Sequence, residues 1–513
     1  MKSWIENEER TGPPFGVPEL SSIARGAGLI VFGTAVGALF RYLFQLVIAR
    51  FLGPGLFGTF FLGFSVFRIA AMAAECGLPN GLVRYVALYH ADSDQRRIKG
   101  VIFASARIVL VAGLLLSGLL VGFSGLISLK LFHNVGTVNS LVPFALILPV
   151  AALTSIFTSA AQGFKIMRVK VIVLEIFEPL TRLLLVLGLW MMGLRLGGVM
   201  ISYGAATMAG ALLSWHLLKR IFPPLTNSSI KPVCETSKLL SFSWPLLSLN
   251  FFGILLLWTD TLMLGYFRPA EDVGVYSAVQ RTVLVGTVII ISFSTIFAPY
   301  ISQLHSQHAH RLLKNLFQTI TKWILTFSLP IYVAMIFFAR PVLSLFGPEF
   351  GRGALALGIL SGGWLVHAST GPLGVMITMT GRPIINFYCA GGMLFVNIAL
   401  NLFLIPKYGI LGAALATTFS VIAGNLINLV VVHRLLHMVP YRLDFLKPLS
   451  AGLMATGILF VLRGTCFRAP SGLLMIAAFL IFLLVYTIFL LLLRLSDEDK
   501  ATFAHLKKNA LKK

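Results

Sequence analysis

The sequence predicts an all-α integral membrane protein of about fourteen transmembrane helices, built as two six-helix bundles related by an internal repeat, two additional C-terminal helices and a central cationic cavity. Three observations predict it. The 513 residues are 57% hydrophobic and only 12% charged, whereas soluble domains carry about 25% charged residues. The apolar residues fall into runs of about 20, enough to cross some 30 Å of hydrocarbon. Finally, Arg41, Arg68, Arg281 and Asp260 lie inside such runs. A charge there costs roughly 2.5 to 3.5 kcal/mol unless it faces a polar interior or a partner, so each marks a functional interior.

In chain order the apolar runs place spans at roughly 26–48, 60–88, 101–127, 138–162, 171–193, 197–219 and 240–265, then 272–303, 314–340, 352–379, 384–405, 409–436, 446–463 and 471–494. The domains that follow are a cytoplasmic N-terminal tail (1–25), a first bundle (26–219), a cytoplasmic linker (220–239), a second bundle (240–437), two C-terminal helices (438–495) and a basic cytoplasmic tail (496–513). The opening residues carry Glu6, Glu8, Glu9, Pro13, Pro14 and Pro18, which is not the layout of a cleaved signal peptide and suits a disordered tail.

The net charge of +23 does not point to nucleic acid, because the basic residues lie between apolar runs and not in one basic domain. They report topology. One side gathers Arg96, Arg97, Lys99, Lys165, Arg168, Lys170, Lys219, Arg220, Lys231, Lys238, Arg311, Lys314, Arg382 and Arg434; the other holds Arg50, Lys130, Arg195, Arg268, Arg340, Arg352 and Lys407. Since Lys and Arg near helix ends stay inside, both termini are expected in the cytoplasm of a multi-pass protein of the cell membrane. Cys76, Cys234, Cys389 and Cys466 are scattered, and His305, His308 and His310 have no complementary cysteine or carboxylate cluster, so no metal is expected.

Two landmarks recur at nearly one offset. Leu52-Gly53-Pro54-Gly55-Leu56-Phe57-Gly58 joins spans one and two, and Leu264-Gly265-Tyr266-Phe267 with Asp272-Val273-Gly274-Val275-Tyr276 joins spans seven and eight; Gly58 and Gly274 are 216 residues apart. Gly197, entering span six, and Gly412, entering span twelve, are 215 apart. Glycines that merely punctuate helix ends would not share a spacing, which favours duplication. Same-direction repeats suggest two bundles about an axis along the membrane normal, with a cavity between them.

The segment from Asn401 to Thr417, read Asn-Leu-Phe-Leu-Ile-Pro-Lys-Tyr-Gly-Ile-Leu-Gly-Ala-Ala-Leu-Ala-Thr, resembles the NLxLIPxxGxxGAAxAT signature of the polysaccharide flippases. Asp260-Thr261-Leu262-Met263-Leu264-Gly265 and Ala49-Arg50-Phe51-Leu52-Gly53-Pro54-Gly55-Leu56-Phe57-Gly58 agree with it. Together with the span count, the chain resembles the Wzx-type lipid-linked oligosaccharide flippases of the MOP exporter superfamily, whose relatives include MurJ and MATE proteins. The resemblance implies that the first two helices of each half line a cationic cavity, and that a polyprenyl-diphosphate-linked glycan crosses from the cytoplasmic to the outer leaflet by alternating access, for surface polysaccharide biosynthesis. Membrane lipids and a polysaccharide polymerase with assembly proteins are the partners it implies. Read physically, Pro406 ends a helix and Gly409 and Gly412 allow a tight hairpin, so the motif is expected to be scaffold.

The charges carry the mechanism. Arg41 lies roughly 22 Å along span one, Arg68 roughly 12 Å below the outer face, and Arg281 and Asp260 in the same outer half, so the four are expected to converge on one layer. Arginine suits a diphosphate because its planar fork donates paired hydrogen bonds and stays ionised. Arg41, Arg68 and Arg281 are therefore the candidate substrate-binding residues. Asp260 is the candidate counter-ion or coupling site, expected to be held ionised beside the arginines. Glu75, two turns after Arg68 and before a bend at Pro79, is its candidate partner or a titrating group. Glu178 and Arg182, four apart, read as a structural pair, Arg84 as an entrance charge, and His367 as a satisfied polar residue between helices. The plain alternative is that Arg41 and Arg68 snorkel to an interface.

No catalytic constellation is visible. Gly347-Pro348-Glu349-Phe350-Gly351 lacks a following Walker lysine, so the chain is not expected to be an enzyme or to bind a cofactor; coupling to H+ or Na+ stays open. Two other readings are a MATE-like ion-coupled antiporter of small molecules, disfavoured where arginine outnumbers carboxylate, and a non-transporting envelope-assembly scaffold.

Overall fold

A computed structural model describes residues 17–466 and 472–492, and among these every regular element is helical. Most of the expected N-terminal tail and the whole basic C-terminal tail lie outside the described residues. Fourteen helical segments follow one another: α1 (residues 17–52), α2 (residues 54–75, resuming as Leu78–Ala91), α3 (Gln95–Gly122), α4 (Val138–Gly163), α5 (residues 168–191), α6 (Leu196–Ile221) and α7 (Thr236–Phe267), then α8 (Ala270–Val285, resuming as Thr287–Ser306), α9 (His310–Phe337), α10 (Ala354–Thr370, resuming as Leu373–Met379), α11 (Pro383–Tyr408), α12 (Ile410–Leu436), α13 (Leu446–Cys466) and α14 (Gly472–Leu492). Among the described residues eight helical stretches are long and apolar enough to cross a membrane, the first being the joined α1–α2 unit.

The interruptions differ from the sequence expectation in instructive ways. Spans one and two are not separated by a loop: helix runs from Val17 to Glu75, broken only at Gly53 (φ 70°, ψ 173°). That left-handed backbone suits a residue without Cβ, and Pro54 opens the next helix with its φ already set. Span two bends not at Pro79 but before it, at Cys76 and Gly77, both at positive φ. Pro79 sits in the first turn after the break, where its missing N–H has no helical partner to lose. α11 also continues through Pro406 and stops at Gly409, which takes positive φ. In α5, residues Val171–Phe177 form a π-helix that re-aims the side chains after it.

One large core joins the two bundles, running from Phe60, Phe61 and Phe67 through Trp258 to Tyr276 and Leu357. α13 and α14 pack on α9 through Ala451, Ala455 and Phe482 against Leu325 and Leu329, and Tyr486 Oη donates to the Thr326 carbonyl at 3.0 Å. The linker is held to the α2–α3 turn: Lys99 Nζ donates to the Asn227 carbonyl (2.6 Å) and the Val233 N–H to the Arg96 carbonyl (3.1 Å).

Candidate functional site

A cavity of about 440 Å³ opens between the bundles. α2 contributes Arg68 and Glu75, α4 contributes Ser155, Thr158 and Ser159, α5 contributes Lys170, and α7 closes the far wall with Leu247 and Ile254. Ser155 hydrogen-bonds Glu75, and the charges of Arg68 and Lys170 both act on that carboxylate. The break at Cys76 and Gly77 sits at this wall and opens space beside Glu75. The cavity is thus polar on the first-bundle side and apolar on α7. Lys170, which reads in the sequence as a topology charge, is one of its cations.

Arg281 joins this layer from α8. Its guanidinium lies 4.4 Å from the Trp258 ring centre and 5.1 Å from that of Phe61, and Arg68 is near enough for its charge to act on it. Nε and Nη2 are shielded from solvent without a hydrogen-bond partner. Aromatic faces stabilise the cation without consuming its donors.

Arg41 is turned elsewhere. Its Nη1 meets Glu175 at 2.5 Å, and both it and Arg182 line a separate pocket of about 60 Å³ inside the first bundle, among Phe60, Phe61, Phe64 and Tyr203. Phe61 stands between this pocket and Arg281. Glu175 belongs to the π-helix, whose altered phase the sequence does not announce. Glu178 and Arg182 form an ion pair, and Arg182 also stacks 3.9 Å from the Tyr203 ring centre. Arg84 is exposed on α2 and lies 4.2 Å from the Phe242 ring centre.

Asp260 does not sit beside the arginines. It is fully buried, and its carboxylate accepts from four neutral groups: Asn397 Nδ2 (3.1 Å) and Asn401 Nδ2 (2.7 Å) on Oδ1, Tyr276 Oη (2.7 Å) and Thr417 Oγ1 on Oδ2. These come from α11, α8 and α12. The correction has a physical origin: Asp260 faces into the second bundle, where Asn397 and Asn401, one helical turn apart, present donors at the same depth. Asn401 and Thr417 are the first and last residues of the signature, so that motif is more than a hairpin; it builds the cage around Asp260. The polar residues inside an apolar run were the available signal. Asn401 Oδ1 is buried without a donor. His367 contacts Asn425 Oδ1 through Nδ1 at 2.9 Å, a satisfied pair between α10 and α12.

The end opposite the linker is sealed where α2 crosses α8. A Cβ on Gly58 would strike the Ala270 carbonyl, and one on Gly274 the Pro54 carbonyl. The matched positions pack on one another reciprocally. Around them Arg50 Nε donates to the Leu345 carbonyl (2.7 Å), and Arg352 reaches Glu271 (3.5 Å) and Asp272 (3.6 Å).

Residues 23–305 match the family described as "Polysaccharide biosynthesis protein", and residues 245–403 match "MatE". "Stage V sporulation protein B" of Bacillus subtilis (strain 168) is 22% identical over 466 residues, covering 85% of this chain and 89% of that protein. "Probable low-salt glycan biosynthesis flippase Agl15" of Haloferax volcanii is 23% identical over 218 residues, covering 42% and 45%. The solved structure titled "Lipid II flippase MurJ, inward closed conformation" shares the fold at a TM-score of 0.72 and 17% identity, covering 90% of this chain and 97% of that one.

Proposed function

The chain belongs to the polysaccharide biosynthesis protein family, whose match takes in more than half of it, and from that premise we propose that it flips a polyprenyl-diphosphate-linked oligosaccharide from the cytoplasmic to the outer leaflet. It is a multi-pass membrane transporter of the flippase kind and not an enzyme. The observation that carries the finer reading is a cavity lined by Arg68 and Lys170, with Arg281 outside its lining but near enough to Arg68 to feel its charge and with two donors unused. Two guanidinium forks and an ammonium suit a diphosphate. The hydroxyls of Ser155, Thr158 and Ser159 suit the first sugars.

In this reading the head group enters from the cytoplasmic end, where both termini lie, and the lipid tail stays in the bilayer. Opening of the α2–α8 crossing, with closure of α2 on α7, alternates access. A polymerase and assembly proteins would consume the flipped product. A cavity with more cation than carboxylate disfavours a cationic drug as cargo, which sets this reading above an antiporter.

Coupling is proposed at Asp260. With four neutral donors and no arginine on its carboxylate, it is not a clamp on the cationic layer; Thr417 Oγ1 and Tyr276 Oη stand beside its own two oxygens, while Asn397 and Asn401 turn their amide nitrogens to it. Hard monovalent and divalent cations take such oxygen sets, and the orphaned Asn401 Oδ1 fits Na+ better than a lone proton. Asp260, Asn397, Asn401 and Thr417 would hold it.

The test is to purify the full chain and identify its bound lipids by mass spectrometry. Polyprenyl-diphosphate glycans are expected with the wild type and are expected to be lost in Arg68→Ala and Arg281→Ala, with partial return in the lysine variants. Recovery of ordinary phospholipids alone from all of them would sink the proposal.

A further inference from the structure

A second wide cavity lies in the second bundle, at the end where the linker lies. α7 leaves that end and α8 returns to it, so the last turn of α8, the starts of α9 and α11 and the end of α12 meet there. His305 comes from α8, His310 and Arg311 from α9, Arg382 from the residue before α11, and His437 from the residue after α12. They line about 430 Å³ over an apolar floor that includes Met438. None of them lines the cavity between the bundles.

Among the described residues, no carboxylate lines this cavity or pairs with any of the five side chains. Two arginines and three histidines gathered without an acid are a binding surface for anions and not a salt-bridge network. α9 and α11 both begin here, adding the positive ends of two long helices. His305 itself is half-buried, and its Nδ1 is shielded from solvent without a hydrogen-bond partner.

The lining is fixed from behind. Leu313, Phe317, Ile377 and Met438 form a core cluster under the site. Gln318 Nε2 donates to the Val439 and Tyr441 carbonyls (3.1 and 3.3 Å), holding the loop after His437, and the Arg382 N–H donates to the Ile377 carbonyl at 3.2 Å.

We propose that this cavity binds a phosphate group, Arg311 and Arg382 supplying charge-assisted hydrogen bonds and His305, His310 and His437 completing the shell. The chemistry is shared by an anionic phospholipid head group of the adjoining leaflet and by a soluble phosphate compound. The full-length protein is titrated with pyrophosphate in detergent, and in parallel placed in nanodiscs of phosphatidylglycerol and phosphatidylcholine for native mass spectrometry of retained lipid. Both arms use an Arg68→Gln background, which weakens the other cationic cavity. Adding Arg311→Gln with Arg382→Gln is expected to weaken one of the two probes by about ten-fold or more. Loss in the pyrophosphate arm identifies a soluble ligand, and loss of phosphatidylglycerol identifies the lipid. His437→Gln, on a loop held by Gln318, should give a smaller loss at an unchanged melting temperature. Absence of binding in the parent protein, equal binding in the arginine variant, or an unfolded arginine variant with no loss in His437→Gln would each overturn the site.

Discussion

The two bundles treat buried charge in opposite ways. In the first, carboxylates meet arginines: Glu175 with Arg41, Glu178 with Arg182, and Glu75 within the field of Arg68 and Lys170. In the second, the buried carboxylate Asp260 meets amides and hydroxyls alone, while Arg281 rests on aromatic faces. An ion pair is neutral as a unit; the Arg41–Glu175 pair joins α1 to α5, and the Glu178–Arg182 pair lies within α5. A carboxylate among neutral donors has no counter-charge beside it, which is where the proposed cation would bind. The proposed coupling therefore belongs to the second bundle and not to the first.

The largest effect is expected at the cage. Asp260→Ala leaves the donors of Tyr276, Thr417, Asn397 and Asn401 facing a void, at about 1–3 kcal/mol for each that finds no new partner. Asp260→Asn keeps the shape and should cost less stability. In liposomes, flipping by the wild type should respond to a Na+ gradient, and the Asn variant should lose that response while retaining gradient-free flipping. An unaltered response in Asp260→Asn would remove the contrast between the bundles.

Breaking the first bundle's pair comes next. Glu178→Ala strands a guanidinium that is 14% exposed, at a cost on the order of 3 kcal/mol. Glu178→Leu combined with Arg182→Met should recover most of it, because no charge is then stranded. Thermal melts of the two variants in detergent decide this. If the double variant is as unstable as the single one, the pair does more than fix the bundle.

Smaller still is the crossing of α2 with α8. Gly58→Ala and Gly274→Ala each press a methyl group on the facing carbonyl, and overpacking of this kind costs about 1–3 kcal/mol. Because the two contacts mirror one another, the melting shifts should be alike. A cost at only one of them would mean the crossing is not symmetric.

Much of this was legible in the chain. Composition and apolar run length locate the fourteen helices to within a few residues at most ends, and the i,i+4 spacing of Glu178 and Arg182 already implies their pair. What the chain hid is phase and facing. A π-helix at 171–177 turns Glu175 toward Arg41, so depth along the helix, which placed Arg41 with Arg68, was the wrong coordinate. Asp260 failed for the same reason, sharing a depth with the arginines but facing another way. The proline and glycines of the signature motif stand out in the sequence, while its terminal asparagine and threonine carry the contacts to Asp260.

The smallest expected effect concerns Glu235, where the linker between the bundles meets the first of them. Its carboxylate accepts from Tyr89 Oη at 2.8 Å and lies 3.2 Å from Lys238 Nζ and 3.8 Å from Arg97 Nε. The hydrogen bond from Tyr89, then that from Lys238, holds it below the ordinary carboxylate range. A folded-state value below the unfolded one means the contribution is fully present above the unfolded value and is lost as pH falls through the folded one. Glu235→Gln keeps the shape but donates where the carboxylate accepted, so it should melt slightly below the wild type at neutral pH. The gap should close as the solution is acidified into the carboxylate range, about pH 4 and below. High salt should narrow it too, since the site is open to solvent. A gap that stays constant across the same pH series would show that Glu235 holds the linker by shape and not by charge.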